Sequence, residues 1–477
     1  MRNRLDGLPY KWVALSVVAI GTFMATLDAG AVRVVLPALS GTFGVSADVV
    51  LWVWLIYLLV STGLMLTLGQ AGDTLGRKRL YTMGLAVFTV GLTLCSAAAS
   101  LPQLLFFRSI QAVGAAMTVA MGNAIVTASF PAQERGKALG VMGAVVSAGL
   151  LAGPAFGGVA VDWLGWNSVF YLRIPVGVLA IALCWPLLRS DAAPLRFPHL
   201  DLRGASLLFT GLACLLVAVN RGQHLGWQSP VVAGLATVAL LLLGVFVRTE
   251  QRVPHPVIDL SLFRDRLFTS ASTSHVLLYV AITGPNLVLP FYLIDALEVQ
   301  AARAGLLLAI LPAMRVVMSP PAGKLSDRIG TLVPCTVGLA ILCAGLVLLW
   351  HVDLSTPLIE IVGCLVVLGI GMGLFVPPNT SAIMGSVRQH HLGRASALLA
   401  TSRQVGMSLG LAVGGTLFTL GKLSYANGLA GSTLSGFRYA IAGAIALAVL
   451  TLIASAVRGR KQPNPESHPF YETRHSP

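Results

Sequence analysis

The chain is a succession of apolar runs, each near twenty residues long, separated by short polar turns. A helix rises about 1.5 Å per residue, so about 20 apolar residues cross the roughly 30 Å hydrocarbon core of a bilayer. There every backbone N–H and C=O must be paired within the segment, so runs of this length fold as membrane helices. Of the 477 residues 10% are charged, against about 25% in a soluble domain. Fourteen runs qualify. Six lie near 12–36, 49–68, 80–99, 103–127, 136–160 and 167–188. Two follow near 204–220 and 230–247, and six more near 268–291, 303–322, 331–350, 357–377, 394–420 and 436–457. Polar linkers at 189–203 and 248–266, with two prolines each, set off the middle pair. The pattern predicts an all-α polytopic membrane protein in four parts. Residues 1–190 form a six-helix bundle, 191–266 the linkers and two inserted helices, 267–457 a second six-helix bundle, and 458–477 a disordered cytoplasmic tail.

The formal charge of +14 does not mark a nucleic-acid binder, because the basic residues are scattered in short loops. With the N-terminus inside, 23 of the 32 lysines and arginines fall in inner loops and tails and four in outer loops. That asymmetry places both termini in the cytoplasm. Arg2, Arg4 and Lys11 precede the first run, which lacks an A-x-A cleavage site and outlasts a signal peptide, so it is read as a retained span. All six cysteines lie in apolar runs and none makes a C-x-x-C pair, so they are read as small buried hydrophobes. No metal-ligand cluster, phosphate-binding loop or catalytic triad is visible. The expectation is a protein that is not an enzyme, needs no cofactor, and draws on an ion gradient rather than ATP.

One polar turn has an echo. Gly69-Gln70-Ala71-Gly72-Asp73-Thr74-Leu75-Gly76-Arg77-Lys78-Arg79 lies between two apolar runs. Gly323-Lys324-Leu325-Ser326-Asp327-Arg328-Ile329-Gly330 repeats its G-x-x-x-D-x-x-G skeleton in the second half. A loop recurring at matching places in two halves of a membrane chain points to a duplicated transporter. With these two loops the chain resembles the major facilitator superfamily, and within it the fourteen-helix drug:proton antiporters of the QacA/EmrB type. The resemblance implies that Gly69, Asp73, Gly76, Arg77, Gly323, Asp327, Arg328 and Gly330 latch the cytoplasmic side during alternating access. Asp73 is suited to cap a neighbouring helix N-terminus. Ala71 and Thr74 depart from the family pattern, and the second copy lacks the basic run after its last glycine, so an unequal latch is expected.

Three further stretches carry the resemblance. Gly149-Leu150-Leu151-Ala152-Gly153-Pro154-Ala155-Phe156-Gly157-Gly158 matches the antiporter signature G-x-x-x-G-P-x-x-G-G, with small residues for close helix packing and a proline that bends the helix. Arg108, Gln111 and Gly114 match R-x-x-Q-G-x-G, with Ala112 at the first glycine. In the family that arginine assists proton transfer. Leu27-Asp28-Ala29-Gly30-Ala31-Val32-Arg33-Val34-Val35-Leu36-Pro37 resembles L-D-x-T-x-x-N-x-x-L-P, with Gly30 for Thr and Arg33 for Asn.

Asp28 is the only acid deep within a span. A low dielectric favours its neutral form and a nearby arginine its anion, so competition between the two can switch a proton. Arg108 falls at similar depth, because span one runs outward and span four inward. These two residues are the expected proton-coupling pair; the alternative is a static ion pair. Arg33, Arg108, Arg173, Arg315 and Arg403 all fall inside spans, so the bundle interior is expected to be electropositive. Arg33 and Arg173 both stand where the resembled family has Asn. A neutral or anionic amphiphile is therefore the expected substrate, with Arg33, Arg173 or Arg315 meeting its negative group. The alternative is that these arginines satisfy backbone carbonyls. Arg403, His275, Trp54 and Tyr57 complete the cavity candidates, with Asn379, which follows Pro377-Pro378 where a helix break would free backbone groups. The resulting expectation is a proton-coupled exporter of small amphiphilic compounds, a multidrug or antibiotic efflux protein of a prokaryotic inner membrane. It would act as a monomer among membrane lipids. Lipid or lipid-linked metabolite transport, uptake symport, and a non-transporting sensor or scaffold are the alternatives.

Overall fold

The computed structural model describes residues 9–45, 47–50, 52–189, 201–226, 228–253, 260–424 and 428–457. The expected disordered tail, 458–477, and parts of both linkers lie outside the described residues, as does the side chain of Arg33.

The first six long helices are α1 (Tyr10–Phe43), α2 (Trp52–Leu75), α3 (Arg77–Ser96), α4 (Leu101–Ser129), α5 (Arg135–Leu164) and α6 (Ile174–Leu187). A pair follows, α7 (Leu202–Leu225) and α8 (Pro230–Glu250). The last six are α9 (Arg266–Phe291), α10 (Ala301–Ile329), α11 (Leu332–Trp350), α12 (Leu358–Gly385), α13 (Leu392–Leu423) and α14 (Leu429–Ala456). Local signals set their starts. Ser100 caps α4 and is followed by Pro102, Asp201 caps α7, and Asp265 accepts a hydrogen bond from Phe268 N at 3.0 Å to open α9. Gly76 adopts φ of 96°, which lets α3 start directly after α2. Thirteen described helices are long and apolar enough to cross a membrane; the apolar part of α7, Arg203–Val219, is shorter.

The two sets of six pair in the same order. α1 packs on α5 as α9 packs on α13, α2 on α4 as α10 on α12, α3 on α4 as α11 on α12, and α3 on α6 as α11 on α14. Glycines permit the closest of these contacts. A Cβ on Gly114 would lie 2.7 Å from the main-chain oxygen of Gly84, and one on Gly371 would lie 2.8 Å from that of Gly338. The halves meet through α5 against α10 and α12, and through α13 against α2 and α4. α7 lies on the second of these seams, against α2 and α13, with the Phe209 ring over Gly63.

The break expected at Pro377-Pro378 does not occur. α12 continues through both prolines to Gly385, because its neighbours bury that stretch on all sides.

Candidate functional site

Three features of the bundle carry polar groups at places where burial makes them costly. The first surrounds Asp28 on α1, which is fully buried. Its Oδ2 accepts from Arg108 Nη1 of α4 at 3.0 Å. Its Oδ1 accepts from Arg173 Nη1 at 2.5 Å and from Gln111 Nε2 at 3.1 Å. Arg108 Nη1 also donates to Gln111 Oε1 at 2.6 Å, and its Nε to Val53 O at 3.2 Å. Arg173, at the start of α6, donates from Nε to Val169 O at 2.6 Å. The Tyr57 ring lies 4.3 Å under the Arg108 guanidinium, and Phe170 flanks both arginines. Two guanidiniums thus share one carboxylate in a site closed off from bulk solvent. The Nη2 atoms of both have no hydrogen-bond partner among the described residues.

The antiporter signature builds the wall of this site. Its glycines at four-residue spacing face α1 on either side of Asp28. A Cβ on Gly153 would lie 2.8 Å from Leu27 O, one on Gly157 2.8 Å from Ala31 O, and one on Gly149 would strike the Thr26 side chain. Gly30 answers from α1, where a Cβ would meet Pro154 Cδ at 2.9 Å. That contact explains the glycine at a position where threonine was expected. Gly158 takes no part, since its nearest neighbour would be Val34 at 3.9 Å.

The second feature is the pair of duplicated loops. Asp73, near the end of α2, accepts from Gly393 N at 2.9 Å and Arg394 N at 3.0 Å, at the start of α13. Asp327, near the end of α10, accepts from Gly136 N at 2.7 Å and Lys137 N at 2.8 Å, at the start of α5. Each carboxylate therefore caps a helix of the opposite half, where the helix dipole favours a negative charge. Gly69 and Gly323 allow the approach: a Cβ on Gly69 would lie 2.9 Å from Gly393 O, and one on Gly323 would overlap Gly136 O. The copies differ in their arginines. Arg77 is buried, pairs with Asp73 at 3.4 Å and donates to Gln389 O across the seam. Arg328 is exposed and has no partner among the described residues. Gly330 takes φ of 83° and ends α10.

The third feature is a cavity of about 80 Å³ between the halves. Arg315, Arg403, His275, Tyr279, Asn123 and Thr26 supply much of its polar lining. Of the expected cavity residues, Arg315, Arg403 and His275 are here, and His275 meets Tyr279 edge to face at 5.1 Å. Arg173 and Tyr57 belong to the Asp28 cluster instead. Asn379 is fully buried and donates to Ala271 O of α9 at 3.1 Å, so it clasps two helices and does not line the cavity. Trp54 is half-buried and is absent from the cavity wall.

Asn123 and Tyr279 were not singled out as site residues, and Gln111 was named only as part of a motif. Asn123 is a polar residue inside an apolar span, and Tyr279 stands one helical turn after His275, so both had a signal. The receiving ends of the two caps also had one: Gly136-Lys137-Ala138 and Gly393-Arg394-Ala395 repeat each other.

The model of the Major Facilitator Superfamily matches residues 18–411 and 271–477. The riboflavin transporter RibZ of Clostridioides difficile is 33% identical over 86% of this chain and 88% of its own length. The multidrug resistance protein Stp of Mycobacterium tuberculosis is 32% identical over 85% of this chain and 75% of its own. Among solved structures, the human organic anion transporter MFSD10 superposes with a TM-score of 0.69 at 16% identity, over 93% of this chain and 99% of its own. The repeated six-helix pairing, the doubled loop and these matches agree: the chain belongs to the Major Facilitator Superfamily and is a multi-pass membrane transporter of small molecules, not an enzyme.

Proposed function

We propose that this protein is a proton-coupled antiporter that exports small amphiphilic compounds, neutral or anionic, across a prokaryotic inner membrane. The observation that carries this reading is Asp28. It is the one fully buried acid among the described residues, and it is held by two arginines from two other helices. A buried ionisable group in a transporter core is a natural proton site. A proton arriving at Asp28 removes the charge that Arg108 and Arg173 share. Arg108 then keeps Gln111 and Val53 O, and Arg173 keeps Val169 O, so the tie that holds α1 to α4 and α6 is weakened while both guanidiniums lose their counter-ion. α1 also carries Thr22 and Thr26 of the central cavity, so movement of this helix links proton and substrate.

With both termini in the cytoplasm, the two loops lie on the cytoplasmic side. The Asp73 and Asp327 caps then hold that side shut. Opening inward breaks both caps as the halves rock about the central cavity. Export is favoured over uptake by the G-P-x-x-G-G run packed against the Asp28 segment and by the similarity to a protein named for multidrug resistance. The protein is read as a monomer in the lipid bilayer, in the fourteen-span arrangement of the QacA/EmrB type.

The test is accumulation of dyes in inside-out vesicles under an imposed proton gradient. Wild-type protein should concentrate at least one anionic or neutral amphiphile and stop when the gradient is collapsed. Accumulation that survives collapse of the gradient would sink the proton-coupled reading.

A further inference from the structure

The charges lining the central cavity are not balanced. Arg315 of α10 and Arg403 of α13 both face it, and no aspartate or glutamate is among its lining residues. Arg315 is 7% exposed, and its Nε is buried without a hydrogen-bond partner. Neither arginine has a hydrogen bond or ion pair among the described residues. A guanidinium withdrawn from water without a counter-ion is strongly unfavourable, and planar forks of this kind pair readily with oxyanions. Asp28 offers no relief, because both its oxygens already serve Arg108 and Arg173. The missing negative charge is therefore not supplied by the described part of the chain.

The lining is also divided between the halves. Both arginines, His275 and Tyr279 come from α9, α10 and α13, while α1, α4 and α5 contribute neutral groups such as Thr26, Asn123 and Met142. The cavity, at about 80 Å³, is well below the roughly 300 Å³ of a pocket for a drug-sized ligand. In the closed arrangement it admits the charged end of a molecule and not the whole of it.

We propose that Arg315 and Arg403 form the seat for the oxyanion of an organic acid, such as a carboxylate or sulfonate, with the His275–Tyr279 ring pair beside it to meet an aromatic body. The seat belongs to the C-terminal half and the proton site to the N-terminal half. This names the substrate class of the exporter proposed above and rests on that reading only for transport, not for binding.

Binding is measured without any gradient, by fluorescence anisotropy of fluorescein, an anionic xanthene, and rhodamine 123, a cationic one, on full-length protein in phosphatidylcholine nanodiscs. Fluorescein should bind more tightly than rhodamine 123. Arg315→Gln should weaken fluorescein by about tenfold or more, and Arg403→Gln by a smaller factor, with Arg315→Lys retaining most of the affinity. Rhodamine 123 should not weaken in either glutamine variant. If Arg315→Gln does not fold, Arg403→Gln and Arg315→Lys still decide the matter. Unchanged fluorescein affinity in the glutamine variants, or preference for rhodamine 123, would overturn the seat. Competition by added phosphatidylglycerol that is lost in Arg315→Gln would keep the anion seat and assign it to lipid phosphate. A protein that binds fluorescein through Arg315 but never concentrates it in vesicles would contradict the exporter reading and leave the seat standing.

Discussion

The N-terminal cluster and the central cavity each hold two arginines, and they treat them in opposite ways. Around Asp28 the two guanidiniums find partners within the chain, in one carboxylate, one amide and two backbone carbonyls, with only the Nη2 atoms left over. In the cavity the guanidiniums of Arg315 and Arg403 face space. The first arrangement suits an internal switch that responds to a proton. The second suits a site completed by something from outside. The proposed mechanism uses both, and here they sit in different halves.

The comparison breaks most sharply if charge removal has the same effect in both places. Asp28→Ala strands Arg108 and Arg173 and should cost about 3–5 kcal/mol, the usual penalty for removing one partner of a buried ion pair. Arg315→Gln removes an unpaired buried charge and should leave the thermal midpoint in detergent unchanged or higher. A loss as large as that of Asp28→Ala would mean that Arg315 is paired after all.

Packing around the cluster gives the next effect. Gly153→Leu drives a side chain into Leu27 O and Gly30 and should destabilise by about 1–3 kcal/mol while abolishing transport. Gly158→Ala, five residues further along the same helix, meets nothing nearer than Val34 and should be silent in both assays.

The loops give a smaller effect, of about 1 kcal/mol for each lost cap. Maleimide labelling of Ala397→Cys, a fully buried position beside Gly69, should rise in Asp73→Ala more than in Asp327→Ala. Only the first also loosens Arg77 from its seat. Smallest of all, Arg77→Ala should raise that labelling and Arg328→Ala should not, since Arg328 is exposed. Equal responses would mean that the two latches carry equal loads.

Much of this was legible in the sequence, for identifiable reasons. Apolar run length fixes helices in a membrane, and the doubled loop fixes the symmetry. Asp28 and Arg108 were matched in depth because antiparallel spans can be counted from their ends. Depth does not give azimuth, however. Arg173 was placed inside a span of the same half, but that it turns toward Asp28 follows from α6 packing on α1 and α3, which no local pattern encodes. The same limit moved Tyr57 from the cavity to the face of Arg108. Pro377-Pro378 misled because propensity scales describe helices in water, whereas tertiary burial holds α12 continuous here. Residues 204–220 were read as a full span by the apolar-run rule, but the apolar part of α7, Arg203–Val219, falls short of spanning length.

The most direct test of the central claim separates movement from energy coupling in Asp28→Asn. Substrate exchange across vesicles with no proton gradient is compared with accumulation under an imposed gradient, using an anion that the wild type concentrates. If Asp28 is the proton site, the variant keeps exchange and loses accumulation. If Asp28→Asn still concentrates the substrate to the wild-type level, the proton is carried elsewhere and the buried cluster is only a brace.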